Sequence, residues 1–218
     1  MPPRAESDPP QIGGVILAAG EARRFGSQKL LAPLDGRPLL QRVIDAANAS
    51  SLEDIVLVVG PNADDLLGSV DVGRTRVVPN PDPARGLASS LQAGLSALDP
   101  RLHAALILLG DMPGVTATLI GELVARGRET RATAVVSVWR GRRSPPVVLH
   151  KTLWPVAFAL EGDVGMREVL GTRADVLELA VSDELGSLDD VDTREDHKRL
   201  AGDVRSASDR AHGDPRPR

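Results

Sequence analysis

The chain has no cysteine and no tyrosine, and only two phenylalanines and two tryptophans in 218 residues. Without cysteine, disulfides, thiolate zinc sites, iron–sulfur clusters and a cysteine nucleophile are excluded. With aromatics at 2%, a stacking platform for single-stranded nucleic acid is hard to build. An excess of positive charge is also lacking, with 26 Lys and Arg against 30 Asp and Glu. The formal net charge is −4, so no general attraction to nucleic acid or to an anionic membrane is expected, and any anion site must be local. No apolar run reaches the ~18 residues of a membrane helix. The opening "MPPRAESDPPQ" lacks the apolar centre of a signal peptide. A cytoplasmic protein is the default expectation.

What is present is a Val, Leu, Ile and Ala core in a chain that is 42% apolar, long enough for one α/β domain. Residues 1–12 are proline-rich and charged and residues 202–218 are polar, so both are expected to be disordered ends. Between them apolar strands alternate with helical segments. Gly14–Ala18, "DIVLVVG", "TRVVPN" and "HAALILLGD" read as strands. "GRPLLQRVIDAANAS" reads as a helix with Pro38 in its first turn and Leu39, Leu40, Val43, Ile44 and Ala47 on one face. "NADDLLGSV" is a short helix, "SSLQAGLSAL" a helix with a serine N-cap, and "TATLIGELVARG" a helix capped by Thr116 and stopped at Gly127. Uninterrupted apolar strands in this rhythm predict a parallel sheet covered on both faces. The second half is less regular: strand "TAVVSVW", basic turn "RGRRSPP", strand "VVLH", helical pieces "KTLWPVAFAL" and "GMREVLG", strand "VLELAV" and a final helix "TREDHKRLAG".

Ligands of such sheets bind beyond the carboxyl ends of the strands. After the first strand comes "AAGEARRFGSQK". Gly20 and Gly26 allow tight turns whose amides can cradle phosphate oxygens, while Arg24 and Lys29 can neutralise a polyphosphate. The Walker A and G-x-G-x-x-G patterns are both absent, since Lys29 is followed by Leu30. Asp111 ends an apolar strand in "LILLGDMPGV", where a carboxylate needs a partner. The acidic run "SLDDVDTREDHKRL" also fits a capped helix, with Thr193 and Asp196 as an acidic capping box. His103, His150 and His197 lack metal spacing, and Trp139 and Trp154 read as packing residues.

The ordered pattern L-A-A-G-x-x-x-R-x-G-x-x-K from Leu17 to Lys29, with "NPDPARGLASSLQAGL", "GDMP" and "DDVDTRED" after it, resembles the MobA/MocA-like NTP transferase family. The resemblance covers roughly Gly14–Leu200. It implies a three-layer α/β/α, Rossmann-like nucleotide-diphospho-sugar transferase (glycosyltransferase-A-like) fold with a mostly parallel mixed sheet, and a single nucleotidyltransferase domain over residues 13–201. Arg24, Lys29 and Asp111 are the catalytic residues it implies. Leu17, Ala18, Ala19, Gly20, Arg24, Gly26, Lys29, Asn80, Gly86, Ser89 and Ser90 would bind nucleotide, the two serines also as helix caps. Asp111 and Asp192 would hold Mg²⁺ or Mn²⁺, with Asp189 or Asp190 able to stand in for Asp192. Arg142, Arg143, Asp163 and Arg167 are acceptor-side candidates.

"LAAG", "KLLAPLDGRPLLQRVIDAA", "GPNADDL" and "GDVGMREVL" resemble the molybdenum cofactor cytidylyltransferase branch, implying CTP and a phosphorylated pterin as substrates. The implied protein partner is a molybdoenzyme or a maturation chaperone, with no nucleic acid and no membrane. One departure stands out. The branch has an Arg-Gly-His-Pro run after its fifth strand, and here the run is Arg143-Ser144-Pro145-Pro146. That leaves the acceptor open to a sugar or alditol phosphate. The sequence is also compatible with GTP as donor, and with a non-catalytic carrier of molybdenum cofactor or nucleotide.

Overall fold

The computed structural model describes residues 9–20, 29–61, 63–171 and 173–201. In chain order the elements are β1 (Ile12–Ala18), a short hairpin of β2 (Pro33–Leu34) and β3 (Arg37–Pro38), α1 (Leu39–Asn48), β4 (Ile55–Val59), α2 (Asp64–Gly68), β5 (Arg76–Pro79), α3 (Leu87–Ala97) and β6 (Ala104–Leu109). Then follow α4 (Ala117–Glu129), β7 (Ala134–Trp139), β8 (Arg142–His150), α5 (Trp154–Phe158), α6 (Met166–Gly171), β9 (Val176–Ala180) and α7 (residues 194–201).

Seven strands form one sheet in the order β5-β4-β1-β6-β8-β7-β9. All neighbours are parallel except β8, which runs antiparallel to β6 and β7. The apolar strands explain the layering. Alternate side chains leave opposite faces of a strand. Ile12 and Ile16 of β1 therefore pack with α1 and α4, while Val15 and Leu17 pack with α3 on the other face. Leu39, Leu40, Val43, Ile44 and Ala47 of α1 are all buried, as their spacing predicts.

Several boundaries differ from expectation. β1 starts at Ile12, and Gln11 exchanges hydrogen bonds with His103, so these residues belong to the body and not to an N-terminal arm. Pro38 precedes the first turn of α1 because it pairs with Pro33 in the small hairpin. Gly127 does not stop α4, which runs on to Glu129. A Cβ there would lie 2.9 Å from Ile12 and 3.0 Å from Val148, so the glycine serves close packing against the sheet. The basic segment at residues 142–146 is strand, not turn. The hairpin turns at Arg140 and Gly141, both with positive φ.

Away from the carboxyl edge, His150 ends β8 with its Nε2 buried and unpartnered. Burial pushes its pKa below the ordinary histidine value, nearby His103 adds to this, and a hydrogen bond to the Gly127 main chain opposes it. The unfolded chain thus takes up a proton that the folded protein resists, so stability should fall as pH drops below about 6.5. Urea unfolding at about pH 5.5 and about pH 7.5 checks this. His150→Gln should narrow the difference between the two, and an unchanged difference would refute the assignment.

Candidate active site

The carboxyl ends of β1, β4, β5 and β6 line one edge of the sheet, and the site is built there. Gly110 N donates to Leu17 O, tying the ends of β1 and β6 at 2.9 Å. Ala18 and Ala19 are buried at the end of β1, and Gly20 is exposed just beyond them. Arg24 and Gly26 lie outside the described residues, as does the side chain of Arg167.

Lys29 is at the centre. Its Nζ donates to Asp111 Oδ2 at 2.7 Å and to Asp192 Oδ1 at 3.0 Å. These residues come from three distant parts of the chain and share one ammonium group. Burial works against the Lys29 charge, but the two carboxylates outweigh it and hold its pKa above the ordinary lysine value. The other oxygen of Asp111, Oδ1, is buried and has no hydrogen-bond partner.

The segment that carries Asp192 is stitched to the loop after β6. Ser187 N donates to Gly114 O, Val191 N to Asp111 O, and Thr116 Oγ1 to Leu185 O. A Cβ on Gly114 would meet Ser187 O at 2.7 Å, so only glycine permits this approach. Thr116 also caps α4 by accepting from Leu119 N, as the sequence predicts. At the far end Thr193 and Asp196 form the expected capping box of α7.

The three neighbouring aspartates separate cleanly. Asp189 is held by Trp139, Arg140 and Ser187. Asp192 shares Lys29 with Asp111. Asp190 feels the charges of the Asp192 group. Burial raises its pKa, the charges of Asp192 and Asp111 push it the same way, and Lys29 opposes them.

Among the described residues no group of three His, Asp or Glu side chains closes around one point. Two carboxylates, with phosphate and water oxygens completing the shell, are nonetheless the usual protein share of a Mg²⁺ site. The all-oxygen donor set and the unpartnered Asp111 Oδ1 fit a hard divalent cation.

Of the residues that the sequence marks for nucleotide, Asn80 follows β5, and its Nδ2 donates to Ser89 Oγ at 2.8 Å and to Ser90 Oγ at 3.0 Å. All three residues are buried. The serines do not cap α3, because the helix begins at Leu87 and Gly86 occupies the cap position without a side-chain bond. Ser89 instead donates to Gly86 O at 2.8 Å, bracing the loop that leads into the helix. Gly86 has φ +89° and abuts the main chain of Gly162 and Asp163. A cleft of about 290 Å³ opens beside it, between Arg85, Ala88, Ser89 and Gln92 on one side and Leu160, Glu161 and Gly162 on the other. Lys29, Asp111 and Asp192 do not line this cleft.

Of the acceptor-side candidates, Arg142 is exposed at the start of β8. Arg143 is held by Glu178, at 2.7 Å, and by the carbonyls of Leu170 and Arg173, so it fastens β8 to β9 and α6. Sequence reasoning does not reach the contacts of Trp139 and Gly86. No local pattern signals either, because both partners are remote in the chain.

Comparison with known proteins shows the family of the chain. The MobA-like NTP transferase domain model matches residues 14–176. The nicotine blue oxidoreductase of Paenarthrobacter nicotinovorans is 32% identical over 89% of this chain and 98% of its own. The purine catabolism protein PucB of Bacillus subtilis is 30% identical over 86% of this chain and 95% of its own. The crystal structure of Rv0371c from Mycobacterium tuberculosis superposes with a TM-score of 0.79 at 29% identity, covering 88% of this chain and 98% of that one. Its manganese complex gives a TM-score of 0.76 at 28% identity over the same shares, 88% and 98%.

Proposed function

Since the chain belongs to the MobA-like NTP transferase family and is a nucleotidyltransferase, we propose that it transfers CMP from CTP to the phosphate of molybdopterin or molybdenum cofactor, releasing pyrophosphate. The observation that carries the chemistry is Lys29 seated between Asp111 and Asp192 at the carboxyl edge of the sheet. Choice of CTP and of the pterin acceptor rests on the resemblance of "LAAG" and "GDVGMREVL" to the cytidylyl branch.

In this reading Arg24, Lys29 and the amides of the loop that begins at Ala19 and Gly20 and includes Gly26 hold the β- and γ-phosphates. Asp111 and Asp192 hold a divalent cation, Mg²⁺ or Mn²⁺, which supplies charge neutralisation on the triphosphate when bound. The manganese complex of a structural relative supports that assignment. Lys29, on its flexible stem, passes from the carboxylates to a phosphate oxygen. Asn80, Ser89 and Ser90 fix the loop beside the base and ribose. Arg142 and Asp163 are the acceptor-side groups, Arg142 exposed at the start of β8 and Asp163 beside Gly86.

An acceptor phosphate oxygen attacks the α-phosphorus in line. The new P–O bond forms as the bond to pyrophosphate breaks. The attacking oxygen is already anionic near neutral pH, so no general base is required, and positioning and electrostatics carry the rate.

The test is pyrophosphate release from CTP or GTP with Mg²⁺ and molybdenum-loaded pterin. CTP is expected to be the better donor. Equal or faster turnover with GTP overturns the cytidylyl assignment, and faster turnover with sugar or alditol phosphates overturns the pterin. Tight triphosphate binding without turnover would favour a cofactor carrier. Lys29→Met is expected to cut kcat by about 10²-fold, the effect of losing one preorganised charge at a phosphoryl-transfer centre.

A second activity beside nucleotidyl transfer is favoured by one observation, the 32% identity to a protein named as an oxidoreductase. Hydride transfer from NADH or NADPH to an added quinone-type dye by the purified chain would establish it. Absence of the G-x-G-x-x-G pattern weighs against it.

A further inference from the structure

We propose that Asp189 is a positioning residue that locks the Asp192 segment to the β7–β8 hairpin, and that the metal site depends on it although it holds no metal itself. The inference rests on the reading of Asp192 as a metal ligand. Asp189 Oδ1 accepts from Trp139 Nε1 at 3.3 Å and from Arg140 Nη1 at 3.2 Å. Its Oδ2 accepts from Ser187 Oγ at 2.9 Å. Both of its oxygens are thus engaged by the protein itself.

Trp139 is the last residue of β7 and is only 9% exposed. Its indole N–H needs an acceptor, and the sheet fixes where that acceptor must be. Arg140 stacks over the Trp139 ring at 4.9 Å from the centroid. Its side chain is 68% exposed, so its ion pair with Asp189 contributes little by itself. The anchored member of the clasp is therefore the tryptophan.

The opposite side of the segment is already tied down. Ser187 N and Val191 N bond to Gly114 O and Asp111 O. Asp189 supplies the side-chain link on the hairpin side, three residues before Asp192. Without it the segment is held from one side, and the Asp192 carboxylate loses the fixed position in which it shares the Lys29 ammonium with Asp111. The same hairpin leads into Arg142, so a phosphate held there and a cation held at Asp192 would share one frame. Groups that orient metal ligands typically change metal affinity by about 10- to 100-fold when removed.

Titration of the full chain with Mn²⁺, followed by electron paramagnetic resonance of the free ion, tests this without turnover. Asp189→Asn keeps the volume and weakens the clasp, and about 10-fold weaker Mn²⁺ binding is expected. Trp139→Phe keeps an aromatic ring and removes the N–H, and a smaller loss in the same direction is expected with the melting temperature little changed. Unchanged Mn²⁺ affinity in both variants overturns the proposal, even if Asp189→Asn melts earlier, because the residue would then be structural only. Unchanged affinity in Asp192→Asn overturns the ligand reading beneath it, which separates the two failures.

Discussion

Asp111→Asn is expected to lower turnover by a factor on the order of 10³ or more while leaving the protein folded. The change removes one charge and almost no volume. Asp111 holds Lys29 at 2.7 Å, and its other oxygen is buried without a partner. A buried unpaired carboxylate oxygen is costly to the fold, so its presence at this edge is better explained by chemistry than by stability. The backbone bond from Val191 N to Asp111 O does not involve the side chain and should survive the change. Pyrophosphate release and thermal unfolding measured on the same sample check the split. Retention of a tenth or so of kcat would show that Asp111 does not act at the reacting phosphates. Because Lys29 and Asp111 touch, the effects of Lys29→Met and Asp111→Asn should not add, and the double variant should lose little beyond Asp111→Asn alone.

Asp111 is legible in the sequence as a carboxylate closing an apolar strand and Lys29 as a cation in the loop that follows the first strand, whereas Asp192 is singled out only by the family resemblance of its segment, which leaves Asp189 and Asp190 as alternatives. The core is legible too, since uninterrupted runs such as "DIVLVVG" admit little but a strand buried on both faces. What is not legible depends on remote contacts. Ser89 and Ser90 look like caps, yet they lie inside the first turn of α3 because Asn80, from after β5, takes both hydroxyls. Pro145 and Pro146 look like a turn, yet they lie within β8. Val136 pairs with Val147 and Ser137 with Ser144, so the prolines fall in the irregularity between these pairs, where no ladder N–H is required of them. β6 pairs only with residues 147–150 of β8, so the prolines leave no gap on that side either. Trp139 packs as its context in the sequence suggests, and its bond to Asp189 exists only because the fold brings the two together.

Gly86→Ala is expected to produce the largest loss of stability of any single methyl added at this edge. Gly86 has φ +89° and ψ −176°, a region that L residues avoid at a cost of about 1–3 kcal/mol. A Cβ there would lie 2.2 Å from Gly162 C, 2.3 Å from Gly162 O and 2.6 Å from Asp163 N. All three are main-chain atoms, so no rotamer change can relieve the clash, and overpacking adds about 1–3 kcal/mol more. At about 2–4 °C per kcal/mol for a chain of this size, a drop on the order of 10 °C in melting temperature follows. The same shift would move Gly162 off its bond with Ala88 N and open the cleft beside Ser89, so the KM for the triphosphate should rise with it. Gly121→Ala is the matching control. It lies inside α4, and a Cβ there meets nothing within 4 Å. Helix propensity alone should then raise stability by up to about 1 kcal/mol. If both alanines shift the melting temperature alike, backbone contact at Gly86 is not what joins α3 to the loop at residues 160–163. If they shift it in opposite directions, the backbone at Gly86, through its positive φ and its contact with residues 162–163 together, is what holds α3 to that loop.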